Sequence, residues 1–221
     1  MVERLVSVNM LQALPWLAAS YFLGAIPTSY LVARGLGGID LRSVGSRNLG
    51  ATNLYRVMGW KYAVPVGVFD MVKGAIPVWF FGPRVPEIPL FPVICGAMAV
   101  IGHVYSVFVR FRGGKGVATA AGVIAGLAPV AFLVVAVIWV VVVRVSGYVS
   151  LGSVIGASVF PLADWLLQPA RRTPLDLGMD LVLAGIIVWK HRTNLKRLIK
   201  GTEHRFGRRG KDAGAAATPA Q

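Results

Sequence analysis

The chain has 221 residues, of which 56% are hydrophobic and only 14% charged, and its mean hydropathy is +0.66. That composition excludes an ordinary water-soluble domain and makes the lipid bilayer the solvent of most side chains. Basic residues outnumber acidic ones 23 to 9, which favours anionic partners and, in a membrane protein, points to lipid headgroups rather than nucleic acid.

Apolar stretches recur at 11–33, 62–81, 88–109, 117–143, 149–168 and 176–189, most of them near the roughly 20 residues that a membrane helix needs. The first lacks a strongly basic leader and a convincing cleavage site, so it reads as a retained helix rather than a secretion signal. Arg34, Arg42, Arg47, Arg56 and Lys61 crowd the connector after it, whereas the connector at 82–90 has only Arg84, opposed by Glu87. The positive-inside rule then places the first connector in the cytoplasm, the second outside, and the N-terminus external. Asp70 and Lys73 stand three positions apart inside the second stretch. Charges in the bilayer mark function by default, yet this spacing equally suits an ion pair that organises the bundle. Cys95, the sole cysteine, excludes an intramolecular disulfide and reads as a small core residue.

The third stretch returns to the cytoplasm and delivers Arg110, Arg112 and Lys115 to the side of the first connector. If 117–143 were one helix, six spans would leave the C-terminal region outside, although nine Lys and Arg between Lys190 and Lys211 face one acid, Glu203. Gly126 and Pro129 resolve the conflict through a turn near 126–130, giving helices at 117–127 and 130–143. The expected fold is an all-α integral membrane protein, a polytopic bundle of about seven transmembrane helices with an external N-terminus and a cytoplasmic C-terminus. Arg171 and Arg172 then fall outside, against the charge rule. Residues 1–204 are expected to form one transmembrane domain, and 205–221 a basic, then low-complexity, disordered tail.

Three polar, glycine-rich patches interrupt the apolar run: GSRNLGATN at 45–53, GGKGVAT at 113–119 and HRTNLKRLIKGTE at 191–203. Glycine lets backbone N–H groups approach an anion, hydroxyls and amides donate hydrogen bonds, and Lys or Arg supplies charge, so each patch has the makings of a phosphate cradle. In the first, Ser46, Asn48, Thr52 and Asn53 lie among Gly45 and Gly50, with Arg56 placed to clamp an oxyanion. A flexible loop whose arginines merely set topology fits the same residues. In the second, the nucleotide-binding loop pattern fails twice, with Val109 where its first glycine belongs and Gly116 where it needs Ser or Thr. What remains is Lys115 between two glycines, leading into an expected helix N-terminus at Val117 that favours phosphate. In the third, His191 and Asn194 share a helical face, followed by Lys196, Arg197 and Lys200. His191 reads either as a phosphate or proton partner or as an interfacial anchor, an ambiguity that His103 shares. No metal site is expected, because the three histidines are widely spaced and no carboxylate cluster accompanies them.

Taken together, GAIP at 24–27, DLRSVGSRNLGATN at 40–53, FDMVKG at 69–74, GHVYSVFVRFRGGKGVAT at 102–119, YVSLGS at 148–153 and HRTNLKRLIKGTE at 191–203 resemble the bacterial acyl-phosphate:glycerol-3-phosphate acyltransferases. The resemblance implies transfer of an acyl group from acyl phosphate to the sn-1 hydroxyl of glycerol 3-phosphate, giving lysophosphatidic acid and phosphate in phospholipid synthesis. It implies a multi-pass enzyme of the bacterial inner membrane, working at the cytoplasmic face without a cofactor. By the same resemblance Ser46, Arg56, Lys115, His191 and Asn194 are catalytic, and Asn48, Thr52, Asn53, Gly113, Gly114, Gly116 and Ser153 bind substrate phosphate. Glu203 matches a glutamate of structural importance. This chain reads GSRN where the family usually has GSGN, so Arg47 occupies a glycine position and is strained if that position needs positive φ. The alternative is a transporter for an anionic phosphorylated metabolite, which would place its site near the bilayer midplane, often between repeated halves. No internal repeat is evident.

Overall fold

The computed structural model describes residues 2–206, with side chains from Leu11 onward. Among them every regular element is helical: α1 (Val2–Ala25), α2 (Thr28–Gly37), α3 (Ala51–Met58), α4 (Trp60–Ile76), α5 (Phe91–Val104), α6 (Val117–Leu127), α7 (Pro129–Ser146), α8 (Val149–Leu167), α9 (Pro174–Lys190) and α10 (Arg192–Ile199), with short 3₁₀ and π turns between. Lipid favours this, since a helix satisfies its own backbone. By length and composition four helical runs can cross a membrane: Trp60–Arg84, Phe91–Val109, Pro129–Ser146 and Val149–Leu167. The bent pair Leu11–Ala25 and Thr28–Gly37, counted as one span, makes five.

Proline punctuates the bundle. The 117–143 stretch is two helices, as Gly126 and Pro129 require: Ala128 leaves helical geometry at φ −142° and ψ 69°, and Pro129 opens α7. The second piece runs on to Ser146, beyond the expected 143, until Gly147 closes it in the left-handed conformation. The 11–33 stretch, expected as a single helix, is broken as well, because Pro27 removes a donor and its ring clashes with the preceding turn; the pieces bend by 41°. The polar groups freed there are satisfied from α4. Lys73 Nζ donates to the Ile26 carbonyl at 2.8 Å and pairs with Asp70 at 2.7 Å, while Thr28 Oγ1 donates to Asp70 Oδ1 at 3.1 Å. Both charges are fully buried. The intramembrane ion pair therefore ties α4 to the α1–α2 break.

α4 and α6 pack backbone to backbone, since a Cβ on Gly74 or Gly122 would run into the Thr119 or Met71 carbonyl. That close approach fixes the start of α6, which carries Lys115 at its mouth. α5, α6, α8 and α9 meet around Val100, Val104, Val123, Phe160, Leu183 and Ile187. α7 instead turns Leu133, Val137, Val140 and Val141 outward, the pattern of a helix facing lipid. At the far end of α8, Arg171 is bound by Asp164 at 3.0 Å, Asp180 at 3.1 Å and Asp176 at 3.6 Å. Arg172 donates to the Trp165 and Leu166 carbonyls, each at 2.7 Å. Of the two arginines that offend the charge rule, Arg171 is thus neutralised within the protein, and Arg172 stays exposed but bonded to backbone carbonyls.

Candidate active site

The bundle encloses a cavity of about 520 Å³, a size typical of small-molecule sites. One end is polar and takes residues from all three patches: Ser46, Asn48, Thr52 and Arg56, then Lys115, then His191 and Asn194. The remainder is apolar, walled by Val64 and Val68 of α4, Ile124 of α6, Phe132 and Val135 of α7, and Phe160 of α8. Val149 and Phe160 both line it, and between them α8 travels about 16 Å along its axis. The cavity is therefore long, charged at one end and oily at the other.

The first patch is shaped by Asn53. Its Oδ1 accepts from the Ser46 N–H at 2.8 Å, and its Nδ2 donates to the Leu41 and Val44 carbonyls at 3.3 and 3.2 Å. Asn53 was expected to bind phosphate, but its amide donors are committed to the loop and it is buried, so it builds the cradle instead of lining it with a free donor. Gly45 and Arg47 take φ of +58° in this loop. Arg47 thus pays the strain anticipated for a residue at a glycine position, and its loop still presents Ser46 and Asn48 to the cavity. Thr52 and Arg56 follow one turn apart on α3 and face the same way.

The second patch also divides. The Gly113 and Gly114 N–H groups donate to the Val104 and His103 carbonyls, both at 3.1 Å, capping α5. They were expected to cradle phosphate, but a helix end leaves carbonyls that need donors, and these two amides supply them. A Cβ at Gly113 would meet the His103 carbonyl, and one at Gly114 the His103 ring. His103 is buried behind the loop and shares a hydrogen bond with Thr119 Oγ1 at 3.1 Å. Gly116, at φ +81°, caps α6 and lines the cavity with Lys115.

The third patch is wired to the second through Asn194. Lys115 Nζ donates to Asn194 Oδ1, and Asn194 Nδ2 donates to Glu203 Oε1 at 2.6 Å. Glu203 also accepts from Ser150 Oγ at 2.9 Å and from Arg197 Nε at 2.7 Å. Burial acts to raise the Glu203 carboxyl, but the Arg197, Asn194 and Ser150 hydrogen bonds outweigh it and hold it below its ordinary range. Burial lowers the Lys115 ammonium to about 8, with Glu203 opposing and Arg197 and Arg56 reinforcing the shift. His191, 2% exposed, stands with Nδ1 2.8 Å from the Ile187 carbonyl. A carbonyl only accepts, so Nδ1 carries the hydrogen and Nε2 is the acceptor. Burial first and the Lys115 charge second lower His191 to about 4, which leaves it neutral at pH 7. Burial also lowers Arg56, with Glu203 opposing; it stays charged. Among the described residues no acceptor is hydrogen-bonded to the Arg56 guanidinium. Ser153 Oγ donates to the Val149 carbonyl at 2.8 Å and accepts from Trp139 Nε1 at 3.4 Å, on the cavity wall.

Comparison with known proteins gives this geometry a family. A family profile described as Glycerol-3-phosphate acyltransferase matches residues 14–201. The chain belongs to the glycerol-3-phosphate acyltransferase family. Curated relatives of that name include one from Geobacter sulfurreducens, 41% identical over 89% of this chain and 99% of its own, and one from Desulforudis audaxviator, 46% identical over 85% of this chain and 92% of its own. Among solved structures, the fold is similar to PlsY, an integral membrane glycerol 3-phosphate acyltransferase. Its glycerol 3-phosphate form aligns with a TM-score of 0.81 at 38% identity, covering 88% of this chain and 96% of that one. Its lysophosphatidic acid form aligns with a TM-score of 0.79 at 35% identity, covering 88% and 95%.

In this family member some cavity residues escape a reading by patches. Glu203, inside the third patch, was expected mainly to serve structure and it does so at the site itself, accepting from Asn194, Ser150 and Arg197. Ser150 and Trp139 carried a weaker signal, a hydroxyl and an indole set within apolar runs, where polar atoms need partners. Asp70 and His103 reach the cavity wall as well.

Proposed function

We propose that this protein is a membrane enzyme that transfers an acyl group from acyl phosphate to the sn-1 hydroxyl of glycerol 3-phosphate. The observation that carries the reading is one cavity whose cationic end, built from three distant patches, continues into an apolar tunnel. The chain of the donor lies against Val68, Ile124, Val135 and Phe160, and both phosphate groups lie among Lys115, Arg56, Ser46 and Thr52. Solved PlsY forms with glycerol 3-phosphate and lysophosphatidic acid support acceptor and product.

The glycerol hydroxyl oxygen attacks the acyl carbonyl carbon, a C–O ester bond forms, the C–O bond to phosphate breaks, and phosphate leaves with the electron pair. Acyl phosphate is already activated, so no acyl-enzyme is needed and Ser46 donates a hydrogen bond instead of attacking. His191, held as the Nδ1–H tautomer, presents Nε2 as an acceptor for the other hydroxyl of glycerol 3-phosphate and so orients the attacking one. With His191 lowered to about 4, a phosphate whose second pKa is roughly 6 is the stronger base, and the proton passes to substrate phosphate. Lys115 stabilises the charge gathering on the leaving phosphate, and Arg56 holds the phosphate of glycerol 3-phosphate. Asn194 holds Lys115 and positions it without touching substrate, while Ser153 and Asn48 finish the wall.

The convergence of all three basic patches on one end supports a single cytoplasmic face for the site, with an external N-terminus, a cytoplasmic C-terminus and about seven helical elements in a bacterial inner membrane. The contacts of Arg205 with Tyr148 and of Phe206 with Tyr55 support extending the proposed domain past 204; residues 207–221 of the expected tail lie outside the described residues. Purified protein in detergent, supplied with palmitoyl phosphate and labelled glycerol 3-phosphate, is expected to form labelled lysophosphatidic acid. A folded preparation that forms none overturns the reading.

A further inference from the structure

The family match ends at Gly201, yet the next five residues cross the polar end of the cavity. Gly201 turns the chain at φ +68°, and the Thr202 N–H donates to the Arg197 carbonyl at 2.8 Å. Glu203 then enters the site. Beyond it, Arg205 lies over the Tyr148 ring at 5.3 Å and its Nε donates to the Tyr148 hydroxyl at 3.2 Å. The Phe206 N–H donates to the Gly147 carbonyl at 2.7 Å, and its ring stacks on Tyr55 at 4.7 Å and 25°. Two residues thereby join the α7–α8 turn to α3.

α3 needs such a tie. At eight residues it is too short to hold itself, so its place depends on packing. It packs on α2 and α4. Tyr55 is the residue before Arg56, so the stack on Tyr55 acts at the turn that carries the guanidinium. Arg56 has no hydrogen-bonded partner among the described residues, so its aim depends on where α3 sits and on the field of Glu203.

We infer that Phe206 is a positioning residue for the proposed reaction: by stacking on Tyr55 it sets α3, and through α3 Arg56, against the acceptor phosphate. The inference rests on the acyltransferase reading above. The effect falls mainly on glycerol 3-phosphate. Acyl phosphate keeps its chain in the apolar tunnel when a polar contact weakens, whereas glycerol 3-phosphate has only its charges and hydroxyls to bind with.

The test compares Phe206→Ala and Phe206→Trp with wild type in detergent, reading kcat, both KM values and the thermal midpoint. For Phe206→Ala the KM for glycerol 3-phosphate is expected to rise about threefold to tenfold, the worth of one aromatic stack. The KM for palmitoyl phosphate and kcat should each stay within about twofold, with the midpoint unchanged and Phe206→Trp restoring the wild-type KM. In a Tyr55→Leu background, Phe206→Ala should add nothing further, because both substitutions remove the same contact. An unchanged KM, an equal rise in both KM values, or additive effects with Tyr55→Leu would overturn the positioning role. If Phe206→Ala does not purify folded, Phe206→Leu keeps the bulk, removes the stack and is read the same way. Wild type inactive in the same assay sinks the acyltransferase reading itself; wild type active with Phe206 silent sinks only this inference.

Discussion

Two ends of the bundle bury cations, and they treat them differently. At the far end of α8, Arg171 meets three carboxylates, Asp164, Asp176 and Asp180. In the cavity, Lys115 and Arg56 share the field of one carboxylate, Glu203, which reaches Lys115 only through Asn194 and already bonds Arg197. A cation saturated by acid is part of the scaffold, whereas one left short of counter-charge in a dry pocket binds anions. The comparison separates a structural arginine from the lysine proposed to bind phosphate although burial alone does not.

Exchanging each cation for alanine should give opposite signatures. Lys115→Ala is expected to lower kcat/KM about 10²-fold or more, as loss of a preorganised charge does, with little change in thermal midpoint. Arg171→Ala leaves three acids uncompensated and should destabilise by about 3–5 kcal/mol, read as a lower midpoint with kcat/KM of the folded fraction unchanged. Equal losses of kcat/KM in both would break the distinction between the two ends.

A smaller effect comes from pH. A lysine lowered to about 8 is charged below that value and neutral above it, so phosphate affinity is present below about pH 8 and lost as pH rises through it. kcat/KM is expected to fall on that alkaline limb. Asn194→Asp sets a carboxylate directly on Lys115, which raises its pKa and moves the limb upward, while raising KM because the ammonium now has a partner of its own. A limb that stays in place in Asn194→Asp would mean that Lys115 does not control it.

These contrasts also explain what could be read from the chain. The α6–α7 break was legible because Pro129 acts locally, and the Asp70–Lys73 pair because three positions is one helical turn. Lys115 was legible because glycines flank it. The identity of its partner was not, since Asn194 lies 79 residues away and Glu203 bonds Ser150 across 53. Gly113 and Gly114 looked like phosphate donors because nothing in the sequence shows that the loop after α5 folds back and brings them onto the open carbonyls of His103 and Val104. The loop bonds of Asn53 were hidden for the same reason: the carbonyls it serves come from a loop folded back over it. The three acids of the Arg171 cluster are scattered from 164 to 180, and only helices α8 and α9 side by side gather them.

The smallest effect tests Arg47, which the resemblance sets at a glycine position. Arg47 holds φ +58°, a region that costs a side chain about 1–2 kcal/mol and glycine almost nothing. Glycine gives back part of that gain through the freedom it adds to the unfolded chain, so Arg47→Gly should stabilise by about 0.5–1 kcal/mol. The arginine is exposed and makes no bond through its side chain to the cavity residues, so kcat/KM should not move. A rise in thermal midpoint with constant activity places the loop's strain in the backbone alone. A loss of activity would instead give Arg47 a part in gathering phosphate at the mouth, and the line between scaffold and binding cations would then have to be drawn one residue further out.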